Sequence, residues 1–188
     1  MLFLNKYFFV DSFEPNLIKI QDKNTSIIYR NYEKQNIMSD IIKLKYFCKK
    51  NKYNLFLANN IKLALKLNLN GAYLPSYNKK FDHLSYSFKK DFILLGSAHN
   101  VKEIIIKRKQ KVEKIFLSSI LKKNKNYLGL NKYRILVKNF KHAFVALGGI
   151  NKSNFKKLKL ANVSEFAGIK FFKKKAPKRG LLNKIFLN

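Results

Sequence analysis

The chain has 188 residues, an apolar fraction of 47%, 17 Phe and 10 Tyr, which excludes a disordered polymer and leaves ample material for one core. The formal charge of +30 invites a nucleic-acid partner, but 36 of the 40 basic residues are Lys and only 4 are Arg, spread along the whole chain among 22 Asn. That composition follows A/T-rich codons, and phosphate readers lean on Arg, so specific nucleic-acid binding is the lesser alternative.

The single cysteine, Cys48, excludes an internal disulfide framework and fits a reducing compartment. The opening MLFLNKYFFVD has no basic leader or small-residue cleavage site, and no run approaches the ~20 apolar residues of a membrane span. The expectation is a soluble cytoplasmic protein in which residues 1–188 form one domain, with no membrane partner.

In chain order, eight short apolar runs read as strands: Leu2–Val10, Ser26–Arg30, Asn54–Ala58, Gly71–Pro75, Asp91–Ser97, Lys114–Ser119, Ala143–Gly148 and Glu165–Phe172. Most lack strict two-residue alternation, as parallel strands covered on both faces do. Helical patterns fall between them. In Glu33–Lys52 the positions Ile37, Ile41, Leu44 and Cys48 share one face, which predicts a buried Cys48. Asn60–Leu67 follows, and Asn100-Val-Lys-Glu103 has the spacing of a capping box. Asn131–Asn139 and Ser153–Leu160 complete the set. The links after the first and fourth strands are too short or too polar for full helices, so Ser76–Lys90 reads as a loop. His83 and His142 lie in expected loops and are assigned to the surface. The alternation predicts a compact (β/α)8 TIM barrel with trimmed helices, an open doubly wound sheet being the other arrangement compatible with it.

In either fold a ligand sits beyond the carboxyl ends of the strands. There the chain spends two of its seven glycines, in AFVALGGINKSN (Ala143–Asn154). A strand that turns on Gly148 and Gly149 and restarts at Asn151 offers backbone N–H groups to a phosphate, aided by the following helix.

Five segments resemble, in order, the thiamine-phosphate synthases and their TenI-like thiazole tautomerase relatives, over roughly Phe8 to Phe172. They are IIYRNY (Ile27–Tyr32), LANNIKLALKLNLNGAYLPSYN (Leu57–Asn78), LLGSAHN (Leu94–Asn100), IFLSSILKKNKNYLGL (Ile115–Leu130) and ALGGIN (Ala146–Asn151). The resemblance implies a short TIM barrel. It implies an enzyme of thiamine biosynthesis, a transferase that joins hydroxymethylpyrimidine diphosphate to a thiazole phosphate, releases pyrophosphate and uses Mg2+. It places Gly148 and Gly149 on the thiazole phosphate, with Arg30, Ser97 and Lys125 as further substrate or phosphate contacts. A further contact is expected from the turn after Gly168–Phe171. The two metal positions fall on Asn59 and Asn78, where the family has aspartates. Lys123–Asn126 replaces the diphosphate-binding hydroxyls. These departures favour phosphate binding over metal-assisted transfer. A tautomerase or a non-catalytic relative needs no metal, and His99 is the one histidine nominated as its proton carrier.

Overall fold

A computed structural model describes residues 5–33 and 37–173. Eight parallel strands close into a barrel in sequence order: β1 (Asn5–Val10), β2 (Thr25–Tyr29), β3 (Leu55–Ala58), β4 (Gly71–Leu74), β5 (Ile93–Ala98), β6 (Lys114–Leu117), β7 (Ala143–Leu147) and β8 (Glu165–Gly168). All eight expected strands are present, which rules out the open sheet. Leu2–Leu4 lies outside the described residues, and β8 stops four residues before Phe172.

The links explain how so short a chain closes the ring. Five α-helices occur among the described residues: α1 (Pro15–Lys19), α2 (Met38–Asn51), α3 (Ile61–Lys66), α4 (Val101–Lys109) and α5 (Gly129–Phe140). After β4 there is only a 3-10 turn, Asp82–Ser85, and after β7 a 3-10 segment, Phe155–Ala161, replaces the α-helix expected from Ser153. The expected helix over residues 33–52 begins at Met38, residues 34–36 lying outside the description. Its buried face is Ile41, Leu44 and Cys48, as the spacing requires. Burial pushes the Cys48 thiol up to about 12, so it is an inert core group.

Period-two alternation along each strand sorts the core into two shells. Phe8, Ile27, Tyr29, Leu57, Leu74, Leu94, Ile115, Leu117 and Phe166 pack outward under the helices. Tyr7, Phe9, Ile28, Phe56, Tyr73, Leu95, Phe116 and Val145 fill the barrel. Phe116 takes Tyr7 and Tyr73 edge-on, with centroids 4.9 and 5.4 Å away, so aromatic rings occupy the space that aliphatic layers fill in larger barrels.

At the amino ends of the strands the floor is ionic. Lys114 Nζ sits 2.8 and 2.9 Å from the two Glu165 carboxylate oxygens, and Asn5 Nδ2 donates to Oε1 at 2.6 Å. Tyr7 Oη donates to Oε2 at 3.3 Å. Burial, with Glu165 beside it, holds the Tyr7 hydroxyl far above its ordinary range, so it stays a donor.

Candidate functional site

The carboxyl ends of β2 to β7 bring most of the residues singled out in the sequence to one mouth. Gly148 and Gly149 follow β7 with φ of +100° and +80°, a region that disfavours L side chains. The segment after β6 presses against them: a Cβ on Gly148 would lie 2.6 Å from Ser119 Oγ, and one on Gly149 would lie 2.4 Å from Lys122 N. Ile120 N donates to Leu147 O and Leu121 N to Gly148 O, both at 2.9 Å, so the β6 loop is tied to the end of β7. The carbonyls of this turn are therefore engaged, that of Gly149 by Asn154 Nδ2 at 2.8 Å. Two of its amides are not. Among the described residues the N–H groups of Gly149 and Ile150 have no hydrogen-bond acceptor, while that of Gly148 faces Ala167 O in continuation of the β7–β8 ladder. Gly149 is exposed and Gly148 half-buried, so the turn lies at the surface of the mouth.

The expected help from the next helix is not there. Asn151 Oδ1 accepts from Ser153 N and Asn154 N at 2.9 and 3.1 Å, and the 3-10 segment starts only at Phe155. The side chain caps what a free helix end would have offered. The turn after β8 lies alongside: a Cβ on Gly168 would sit 3.7 Å from Ile150 O. Lys125 is exposed on the tied β6 loop, which Ser119 closes through N and O bonds to Asn126 O and Leu128 N.

Across the mouth, Arg30 places its guanidinium 4.7 Å above the centre of the Phe9 ring. It acts electrostatically on both Tyr73 and Tyr32. Ser97 is buried beside Tyr73. Burial raises the Tyr73 hydroxyl to about 12, while Ser97 and Arg30 pull the other way. Tyr32 and Tyr77 meet edge to face at 6.1 Å and are both half exposed. Burial and the Tyr77 hydrogen bond keep the Tyr32 hydroxyl protonated. This tyrosine rim escaped the sequence reading.

His99 follows β5. Its Nδ1 lies 2.9 Å from Glu103 Oε2, the oxygen that also accepts from His99 N at 2.8 Å. Glu103 N donates to Asn100 Oδ1 at 3.0 Å. The expected capping box exists, but the glutamate reaches one residue further back, to His99. With Nδ1–H given to the carboxylate, the neutral ring carries its lone pair on Nε2.

Asn59 and Asn78 are brought together. Asn78 Nδ2 donates to Asn59 Oδ1 at 2.7 Å, and Asn78 Oδ1 accepts from Lys80 N at 3.0 Å. The β4 loop behind them is clamped to the end of α4. Lys107 Nζ, wholly buried, donates to Asn78 O and to Gln110 Oε1, each at 2.8 Å. Gln110 Nε2 donates to Lys80 O at 2.7 Å. His83 Nε2 donates to Gln110 O at 2.9 Å, so this histidine is buried rather than at the surface: the polar loop needed an internal donor. His142 stands in the expected loop, partly exposed and half-buried against the Phe144 ring, and burial lowers its pKa.

Burial also lowers the Lys107 ammonium to about 8. Between pH 8 and the ordinary lysine value the unfolded chain binds the extra proton, so stability rises with pH there. Chemical unfolding of the wild type against Lys107→Met across pH 7–10.5 is expected to show the wild type gaining on the order of 2–3 kcal/mol relative to the variant as pH rises. A flat difference would contradict the buried charge.

A closed parallel barrel with glycine turns, arginine and short polar side chains gathered at its carboxyl mouth defines the class: a TIM barrel. A family model described as thiamine monophosphate synthase matches residues 16–172, and the chain belongs to that family. Among solved structures it resembles thiamine phosphate pyrophosphorylase from Pyrococcus furiosus, at 18% identity and a TM-score of 0.69, over 88% of this chain and 85% of that one. Thiamine phosphate pyrophosphorylase from Bacteroides thetaiotaomicron is similar at 20% identity and 0.64, over 91% and 84%. N-(5'-phosphoribosyl)anthranilate isomerase from Pyrococcus furiosus follows at 12% and 0.62, over 91% and 90%. These likenesses carry the barrel. No curated protein sequence matches the chain.

Family members bind phosphorylated thiamine precursors and use Mg2+. The donor set at Asn59 and Asn78 does not fit that ion: both side-chain oxygens already accept hydrogen bonds and neither carries charge. Among the described residues no group of three or more His, Cys, Asp or Glu side chains could hold a metal, and no helix is long and apolar enough to cross a membrane.

Proposed function

We propose that this chain binds a phosphorylated thiazole, with the phosphate at the Gly148-Gly149 turn, on the amides of Gly149 and Ile150, and the ring toward Arg30, Ser97 and Tyr73. Consecutive backbone donors without an internal partner, at the strand end where this fold holds phosphates, are the observation that supports it. Lys125 supplies positive charge from the loop that buttresses the glycines. Tyr32 and Tyr77 give the ring planar surfaces at the rim.

Isothermal titration with thiazole phosphate tests this reading. Stoichiometric binding by the wild type, abolished by Gly148→Val, is the expected result; equal binding by both would remove the glycine turn from the site.

The arrangement of His99 and Glu103 favours a second reading, tautomerisation of the thiazole phosphate. A carboxylate on Nδ1 orients the ring and leaves Nε2 as base, the requirement for moving one proton without a metal. Transfer of the hydroxymethylpyrimidine group from its diphosphate, with pyrophosphate leaving, has the weaker support, because the carboxylates that bring Mg2+ to the leaving group are missing.

A further inference from the structure

The Asn59–Asn78 contact goes beyond the phosphate reading and rests on different atoms. We infer that this amide pair replaces a divalent cation as the link between the β3 and β4 loops, so that the mouth binds its anion without metal.

Asn59 stands directly after β3 and Asn78 in the loop after β4. Asn59 holds a left-handed backbone at φ +58° and donates its own N–H to Tyr73 O at 2.8 Å, which fixes it to the end of β4. Its Oδ1 accepts from Asn78 Nδ2 at 2.7 Å. Two carboxylates at that separation repel unless a cation stands between them. Two carboxamides attract: one supplies N–H and the other C=O, and the loops are joined with no ion.

The surroundings also disfavour a cation. Asn78 O accepts from Lys107 Nζ at 2.8 Å and Asn78 Oδ1 from Lys80 N at 3.0 Å, so the donors converging on Asn78 bring positive charge and positive dipole ends. The adjoining cleft, about 170 Å3, is lined by Lys62, Lys80, Asp82, His83 and Tyr86 beside the pair. Two lysines there outnumber the single carboxylate. Mg2+ takes oxygen ligands and is usually held by one or two carboxylates plus phosphate oxygens. No oxygen of the pair's side chains is both anionic and unengaged.

The experiment uses the full chain and two probes, Mn2+ and inorganic phosphate. Mn2+ is titrated by electron paramagnetic resonance with and without phosphate, and phosphate affinity is measured calorimetrically with and without millimolar Mg2+. The wild type is expected to take up no Mn2+ in either condition and to bind phosphate equally well with or without Mg2+. The Asn59→Asp/Asn78→Asp variant should acquire stoichiometric Mn2+ binding and lose thermal stability when metal is withheld. The single variants, Asn59→Asp and Asn78→Asp, provide the same readout should the double variant fail to fold. Stoichiometric Mn2+ uptake by the wild type, or a tenfold gain in phosphate affinity on adding Mg2+, would overturn the inference. So would aspartate variants that fold and still ignore Mn2+, because the amides would then not be what excludes the ion. If phosphate fails to bind at all, the glycine seat is wrong, while the Mn2+ arm still decides the role of the amide pair.

Discussion

Glu165→Ala is expected to cost the fold about 3 kcal/mol, because it leaves the Lys114 ammonium inside the barrel floor without its carboxylate. Asn5 and Tyr7 lose their acceptor in the same step. For a chain of this length that loss corresponds to a fall in melting temperature of about 6–12 °C. Lys114 is 26% exposed and Glu165 12%, so water recovers part of the charge, and the figure sits at the low end for a broken buried pair. The pair itself is not worth that much. Lys114→Met combined with Glu165→Leu should recover most of the stability, since removing both charges also removes both desolvation costs. Thermal denaturation of the three variants against wild type reads this directly. A double variant as unstable as Glu165→Ala would show that packing, not the unpaired ammonium, sets the loss.

Gly149→Ala carries the second large effect. The backbone there holds φ +80°, and the new methyl would lie 2.4 Å from Lys122 N and 2.9 Å from Leu121 C. Both obstacles are main chain, so neither moves without breaking the tie between the β6 loop and β7. Backbone strain of about 1–2 kcal/mol and overpacking of about 1–3 kcal/mol sum to about 3 kcal/mol. Binding of inorganic phosphate should be lost as well, because the loop would shift off the donors. Gly168→Ala is the control: it stands in β8 without positive φ, and its methyl would find neighbours at 3.7–3.8 Å, ordinary contact. It should melt close to wild type and still bind phosphate. Equal damage from both substitutions would deny the Gly149 position its special status.

The barrel was legible because its physics is local to the strands. Eight apolar runs at βα spacing specify parallel pairing, and the links after β1 and β4 were visible as too short or too polar for full helices: the first holds only the five-residue α1 and the second a 3-10 turn. The missing α-helix after β7 was not legible. Ser153–Leu160 has helical composition, yet Asn151 Oδ1 takes two of the amides at its start and the segment winds as 3-10. Sequence pattern cannot report such a competition between a side chain and the helix for the same N–H groups. His83 was misplaced for a related reason: a histidine in a lysine-rich loop reads as surface, and only the fold reveals that Gln110 O needs its donor.

The site was half legible. Gly148 and Gly149 declared themselves by being adjacent in a glycine-poor chain, and Asn59 and Asn78 by standing where the family has aspartates. That the two asparagines would bond each other, 19 residues apart, needed the register of β3 against β4. The tyrosine rim needed the register too, since Tyr32 and Tyr77 come from different loops. His99 stood out as a lone polar strand-end residue, but its carboxylate partner Glu103 was read only as a helix cap; the fold shows it serving both.

One titration bears most directly on the anion seat: amide nitrogen–proton correlation spectra of the labelled chain, recorded as inorganic phosphate is added without any divalent cation. The glycine seat predicts that the Gly149 and Ile150 resonances move first and furthest, with Gly148 following, and that the shifts saturate together. Saturable shifts elsewhere, with the Gly149 and Ile150 amides still, would place the anion on some other part of the protein and contradict the account.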